Sequence, residues 1–314
     1  MSTKKKILLT AGGTATTWHF CQVIKEYFAE EFEIHICDIN DSFLIPSSIY
    51  AYKFHKVPSI YEENYESVMY DILKQEKIDI IVPLIDFDLA TFSSDNKKLK
   101  ELNVITTAPS LNTIETLTNK LNMFEFLKKH SIPTPEVVNL ENINDDAEYI
   151  IKPIKGFGSN GVGIKKGIDI KKIYSEGYLV QEKCLPTEIT AEIYNKNKIK
   201  IFQRERVATK AGVCTKMIPV NHEQITTSIH KLINKIECPE AFCIQFMQNN
   251  KGQWCIVDCN LRIGAGTALA TKIGFQLVRA LLTSLCGKKV DDSLFEIDTN
   301  VKSVLRVYEE IVIK

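Results

Sequence analysis

The run Ile132-Pro133-Thr134-Pro135 divides this chain into two parts built on different rules. Each proline disfavours helix for the residue before it. The run therefore stops a helix, Asn119 to Lys129, whose apolar residues Leu121, Phe124 and Leu127 fall at helical spacing. Before it, apolar strands alternate with amphipathic helices. Lys6 to Ala11, Glu33 to Asp38 and Asp79 to Pro83 read as strands, residues 17–29 and Tyr65 to Gln75 as helices. That alternation predicts a parallel sheet wound right-handedly, ending near residue 107. Beyond the prolines the strands are short and separated by turns. Tyr149 to Pro153, Gly161 to Lys165 and Tyr178 to Glu182 surround a glycine-rich loop. Glu188 to Tyr194, Lys198 to Val207 and Cys214 to Val220 read as antiparallel strands, His222 to Ile236 as a helix. Phe242 to Gln248 and Gln253 to Cys259 form a hairpin over Asn249-Asn250-Lys251-Gly252, a strong turn signal. Residues 274–286 are a last amphipathic helix.

A chain of 314 residues suggests two or three packed domains. Apolar content of 45% and charged content of 25% are those of a soluble globular protein. Zero formal net charge leaves no basic excess for a nucleic-acid backbone. No segment approaches the roughly 20 apolar residues of a membrane helix, and the apolar run Ile7 to Leu9 is too short for a signal-peptide core. These features predict a cytoplasmic protein with neither nucleic-acid nor membrane partners. Nine scattered cysteines read as small buried hydrophobes rather than a zinc cluster: the pairs Cys238/Cys243 and Cys255/Cys259 lack C-x₂-C spacing, and no close histidine completes a tetrad with them.

Chemistry-bearing residues gather in three places. The hairpin ends in Asp258-Cys259-Asn260-Leu261-Arg262, with Gln245 on its first strand. Alternation puts Asp258 and Asn260 on one face, together with Trp254 and Ile256. A two- or four-residue loop sets Gln245 opposite Ile256 or Asp258, on that same face; a one-residue slip would remove it. Carboxylate and amide oxygens suit a hard cation, and the arginine beside them can hold a phosphate bidentately. Second, Lys152 ends a strand that enters a loop with Gly156, Gly158, Gly161 and Gly163, around Ser159. Such a loop lets backbone N–H groups approach phosphate oxygens. No G-K-[S/T] follows, so it is not a Walker loop. Third, Gln181-Glu182-Lys183-Cys184-Leu185 offers a strand edge to an adenine, and Glu188, six residues on from Glu182, can accept from ribose hydroxyls. A fourth segment, Ala11-Gly12-Gly13-Thr14 before a helix, suits a carboxylate or phosphate; it lacks the third glycine of a dinucleotide loop. His19, just beyond, reads as a satisfied surface histidine.

In order and spacing these motifs resemble the ATP-grasp superfamily, nearest its carbamoyl-phosphate-synthase-like carboxylate–amine ligases. The resemblance covers nearly the whole chain. It implies a mixed α/β fold: a parallel pre-grasp domain (1–107), a lid subdomain with its helical connector (108–185) and a C-terminal subdomain (186–314), with antiparallel sheets in the last two. It implies ATP with Mg²⁺ or Mn²⁺, a small carboxylate and an amine as substrates, and, by analogy, a homodimer. Lys120 and Lys152 resemble the two lysines of the nucleotide phosphates, Gly156 to Gly163 the flap, and Gln181 to Leu185 the adenine hinge. Glu188 resembles the ribose acceptor, and Gln245, Asp258 and Asn260 the metal ligands. Arg262 resembles the arginine that stabilises the transferring phosphoryl group. Arg204 and Arg206, which share a strand face near Lys216, resemble the region that receives the acid. Asp86 and Asp88, after a strand end, are candidates for the base that deprotonates the amine, with a helix-start role as the plain alternative. The chain departs from the family in having Asp258 for glutamate, Leu261 for proline, Asn119 for aspartate and His130-Ser131 for a glycine. The activity implied is ligation through an acyl-phosphate. A phosphotransferase without ligation and a non-catalytic nucleotide sensor are the alternatives.

Overall fold

The computed structural model describes residues 4–154 and 161–313. The first part alternates β1 (Lys5–Leu9), α1 (Ala15–Tyr27), β2 (Phe32–Asp38), β3 (Lys53–Lys56), α2 (Tyr65–Gln75), β4 (Ile80–Val82), α3 (Asp86–Thr91), α4 (Lys97–Glu101) and β5 (Ile105–Thr106). The strands form one parallel sheet in the order β3-β2-β1-β4-β5. Chain order reverses between β1 and β4, and the crevice beyond their carboxyl ends is where open α/β sheets bind ligands. Both faces of β1 are covered: Ile7 and Leu9 pack with Phe20 and Ile24 of α1, and Leu8 packs with Met69 and Leu73 of α2.

Helices α5 (Leu111–Thr118) and α6 (Lys120–Lys129) follow. Asn119 ends the first and caps the second, accepting from the N–H groups of Leu121 and Asn122. Next come β6 (Glu148–Pro153), β7 (Gly163–Lys166), α7 (Gly167–Ile173) and β8 (Tyr178–Glu182), whose strands form a small antiparallel sheet in the order β7-β6-β8. The remainder supplies β9 (Glu188–Lys196), β10 (Lys198–Lys210), β11 (Val213–Val220), α8 (Glu223–Ile233), β12 (Ala241–Gln248), β13 (Trp254–Asn260), α9 (Thr267–Thr271), α10 (Leu277–Leu285) and β14 (Val304–Leu305). Its strands form an antiparallel sheet in the order β13-β12-β9-β10-β11-β14. One face of that sheet packs on α5, α6 and α8 through Ile189, Ala191, Phe242 and Ile244. The connector helices therefore share a core with the large sheet, while the small sheet has its own, around Ile151, Ile170 and Val180. The opposite face of the large sheet points toward the parallel domain. Among the described residues no helix is long and apolar enough to cross a membrane.

Candidate active site

The large sheet's open face is built by strand alternation, corrected once. Next to the turn, Phe246 pairs with Ile256 and Gln248 with Trp254. Continued without interruption, that register would set Gln245 against Val257. A bulge intervenes, and Gln245 pairs with Asp258 instead. The bulge also breaks the alternation read from the sequence. Trp254 and Ile256 pack into the helix-covered core, whereas Asp258 and Asn260 turn to the other face, beside Gln245. The expectation that these residues share a face with Trp254 and Ile256 is corrected: the extra residue, Val257, flips everything after it. The carbonyl of Val257 then accepts from Lys152 Nζ at 3.4 Å. One bulge thus assembles Gln245, Asp258, Asn260 and Lys152.

The charges on this face answer one another. Arg262 Nη2 donates to Asp86 Oδ2 at 2.9 Å and to Asn260 Oδ1 at 3.2 Å. Asn260 Nδ2 lies 3.4 Å from Asp258 Oδ2. Burial, then the nearby Asp86, raises the Asp258 pKa, against the pull of Lys120, Lys152 and Arg262. Burial lowers Lys152 to about 8, with Asp258 opposing and Lys120 assisting. A carboxylate still short of positive charge, beside two amide oxygens, is a donor set that fits a hard divalent cation. Among the described residues no three His, Cys, Asp or Glu side chains cluster as a metal site, so the fit rests on this one carboxylate and the amides. Lys120 starts α6, and its N–H donates to the Ile154 carbonyl at 3.0 Å, joining the helix to the strand of Lys152.

The hinge segment is pinned at both ends. Gln181 is buried and donates from Nε2 to the Pro135 carbonyl at 3.0 Å; Glu182 Oε1 accepts from the Glu136 N–H at 3.1 Å. The N–H of exposed Leu185 donates to the Gln248 carbonyl at 2.7 Å. Lys183 is a surface residue paired with Glu148. Gly161 lies beside Pro153 with φ +75°. Gly156, Gly158 and Ser159 lie outside the described residues.

The cationic strand is arranged differently from expectation. Arg206 pairs with Glu188, the predicted ribose acceptor, and donates to the Gly212 carbonyl at 2.7 Å. Arg204 lies beneath the face: its Nε and Nη2 donate to Glu192 Oε1 at 3.1 and 2.9 Å, and Glu192 Oε2 accepts from Thr267 Oγ1 at 2.6 Å. Arg206 pairs with Met217, whose side chain enters the core beside Val304. Lys216, the next residue of β11 and paired with Leu305, is therefore exposed on the opposite face, away from Arg206. Glu192 and Thr267 are site-supporting residues that motif spacing missed. Their signal was present in part: Glu188, Thr190 and Glu192 recur with period two in an apolar strand.

At the parallel domain's crevice, Asp86 opens α3 and reaches Arg262. Asp88, two residues on, is buried and accepts from the Tyr65 hydroxyl at 2.6 Å, a structural role. The glycine loop is already engaged, since the Gly13 N–H donates to Asp38 Oδ2 at 2.8 Å. His19 is a buried residue rather than a surface one: its Nε2 meets Thr271 Oγ1 at 3.0 Å. Several buried polar atoms nearby have no hydrogen-bond partner among the described residues: Asp86 Oδ1, Thr190 Oγ1, Arg204 Nη1 and Arg262 Nε. Buried polar groups are ordinarily paired, so this face has unmet demand for both an acceptor and a donor.

Residues 117–266 match the family model of the ATP-grasp domain, and residues 7–107 that of the PylC-like N-terminal domain. No curated protein matches by sequence. Among solved structures, N5-carboxyaminoimidazole synthetase from Staphylococcus aureus complexed with ADP superposes with TM-score 0.73 at 15% identity, over 93% of this chain and 79% of that one. The biotin carboxylase domain dimer of Hydrogenobacter thermophilus 2-oxoglutarate carboxylase, with MgADP, ADP and bicarbonate, gives 0.72 at 14% identity, over 95% and 73%. N5-carboxyaminoimidazole ribonucleotide synthetase from Thermotoga maritima gives 0.69 at 18%, over 93% and 78%. At these identities the likeness is one of fold.

Proposed function

We propose, for a chain that belongs to the ATP-grasp superfamily, the ATP-dependent ligation of a small carboxylic acid to an amine. One observation carries the reading: Lys152, Asp258, Asn260 and Arg262 are brought to one sheet face, and Arg262 reaches Asp86 at the parallel domain's ligand crevice. In this reading a nucleotide phosphate end and a substrate crevice meet at a single arginine. The similar folds that bind ADP, one of them with MgADP and bicarbonate, support the same assignment.

In this reading adenine lies along the backbone of Gln181 to Leu185, and Glu188, shared with Arg206, faces the ribose. Lys120 and Lys152 hold the phosphates. Gln245, Asp258 and Asn260 would hold Mg²⁺ or Mn²⁺, which supplies charge neutralisation on the phosphates. A carboxylate oxygen attacks the γ-phosphorus, the bond to the β–γ bridging oxygen breaks, and ADP leaves. Arg262 spreads the negative charge of the transferring group. The amine nitrogen then attacks the acyl carbon, phosphate leaves with the C–O electrons, and the amine proton passes to a base. Asp86, with one unmet oxygen, is the candidate.

ADP formation from ATP across a panel of acids and amines, alone and in pairs, with free phosphate measured alongside, tests the reading. Turnover is expected to need both partners. Asp258→Asn is expected to lose about 10²-fold or more of it with an unchanged circular dichroism spectrum. Full turnover with the acid alone would replace ligation by phosphotransfer, and tight ATP binding without turnover would mean a sensor.

A further inference from the structure

The sheet face that carries the candidate site has a second feature at the far ends of the same strands. β9 and β10 pair so that Lys196 stands opposite Lys198, and Tyr194 opposite Lys200. Directly opposed side chains share a face, and opposed like charges destabilise a sheet. Three lysines and a tyrosine are nonetheless gathered on one patch. With Lys289 and Phe295, from the segment after α10, they line a cavity of about 340 Å³. Asp292 sits within it, its two carboxylate oxygens 2.9 Å from Lys200 Nζ and 3.2 Å from Lys198 Nζ. That carboxylate marks a point on which two ammonium groups converge. Lys196 is turned to Glu240 at 3.0 Å. Lys289 makes no ion pair among the described residues. One wall is aromatic: the Phe295 ring lies 5.1 Å from the Tyr194 ring, and Lys200 Nζ lies 5.7 Å from the Phe295 centroid. The Tyr194 hydroxyl is buried without a well-formed hydrogen bond among the described residues.

We propose that this cavity binds a small organic phosphate, its anionic end between Lys198, Lys200 and Lys289 in place of Asp292, and its flat group against Phe295. Lysines are point charges without the planar fork that selects carboxylates, and they serve as phosphate binders. Two carboxylates line the cavity against four lysines; Asp291 is engaged by the Ser293 N–H at 2.8 Å, and a phosphate dianion in the place of Asp292 answers more of the remaining positive charge. The volume is at the small end of ligand sites. Tyr194 is six residues along β9 from Glu188, roughly 20 Å at strand rise, so this site is separate from the nucleotide cleft.

The test is calorimetric titration of the full chain with phenyl phosphate. We expect one-site binding that weakens about tenfold or more in Lys198→Ala/Lys200→Ala and is unchanged in Lys152→Ala, within the cleft. Lys289→Ala, which breaks no ion pair, serves if the double variant melts early. No binding to the wild type, wild-type affinity in the lysine variants, or loss in Lys152→Ala would overturn the proposal. Benzoate binding as tightly as phenyl phosphate would overturn the phosphate assignment.

Discussion

Lys152 is only 6% exposed, yet it carries an ammonium whose pKa burial depresses to about 8. Among the described residues its one hydrogen-bond acceptor is the Val257 carbonyl, at 3.4 Å. A group whose folded pKa is depressed costs stability while it is charged, so its presence argues for a ligand. Lys152→Met is expected to melt no lower than wild type. It is also expected to weaken ATP binding by about 1.5–3 kcal/mol, roughly 10- to 150-fold in Kd; unaltered ATP affinity by titration would remove Lys152 from the cleft. His19 is a structural counterpart. Burial, then Lys272 and Arg306, lowers its pKa from 6.5 to about 4. The unfolded chain therefore takes up the proton first. The stabilisation is complete above about pH 6.5 and is lost as pH falls toward 4, by about 2–3 kcal/mol. His55, also lowered to about 4 mainly by burial, adds to the same slope. His19→Gln is expected to make urea midpoints fall less steeply between pH 6.5 and 4; an identical slope would contradict this. Residues such as Lys152, Asp258 and Arg262 were legible because a charge inside an apolar strand is conspicuous. The burial of His19 was not, since its partner Thr271 is more than two hundred residues away.

At the scale of elements, the strands and most long helices followed from periodicity, while side-chain facing after a bulge did not. Val257 shifts its strand by one residue. Alternation then assigns the wrong face to Trp254 and Ile256 relative to Asp258. Nothing in a single sequence marks such a bulge, because it is set by what packs on either side. The loop after Arg262 is held from below. A Cβ on Gly266 would stand 2.0 Å from Arg204 Nη2, and Arg204 cannot move aside because Glu192, itself bound to Thr267, holds it. Gly266→Ala is expected to destabilise by about 1–3 kcal/mol, read as a lower urea midpoint. A midpoint equal to wild type would mean that the loop is not locked to Arg204.

The molecule as a whole places a parallel sheet's ligand crevice against an antiparallel sheet's polar face. Their cores are continuous: Phe20, Val23 and Ile24 of α1 share a cluster with Phe275, Leu277 and Leu281 around α10, and with Phe202 and Met217 of the large sheet. That packing brings Asp86 within 2.9 Å of Arg262, 176 residues away in sequence. The change of pattern at Ile132 to Pro135 disclosed two kinds of sheet; the contact between them comes from tertiary packing that local periodicity does not encode. If this junction is where a carboxylate meets the γ-phosphate, one oxygen of the acid must leave with phosphate. Turnover of an ¹⁸O-carboxylate-labelled acid with its amine, followed by mass analysis of the released phosphate, measures this directly. Ligation through an acyl-phosphate predicts one ¹⁸O in each phosphate formed; phosphate free of label alongside labelled amide would contradict it.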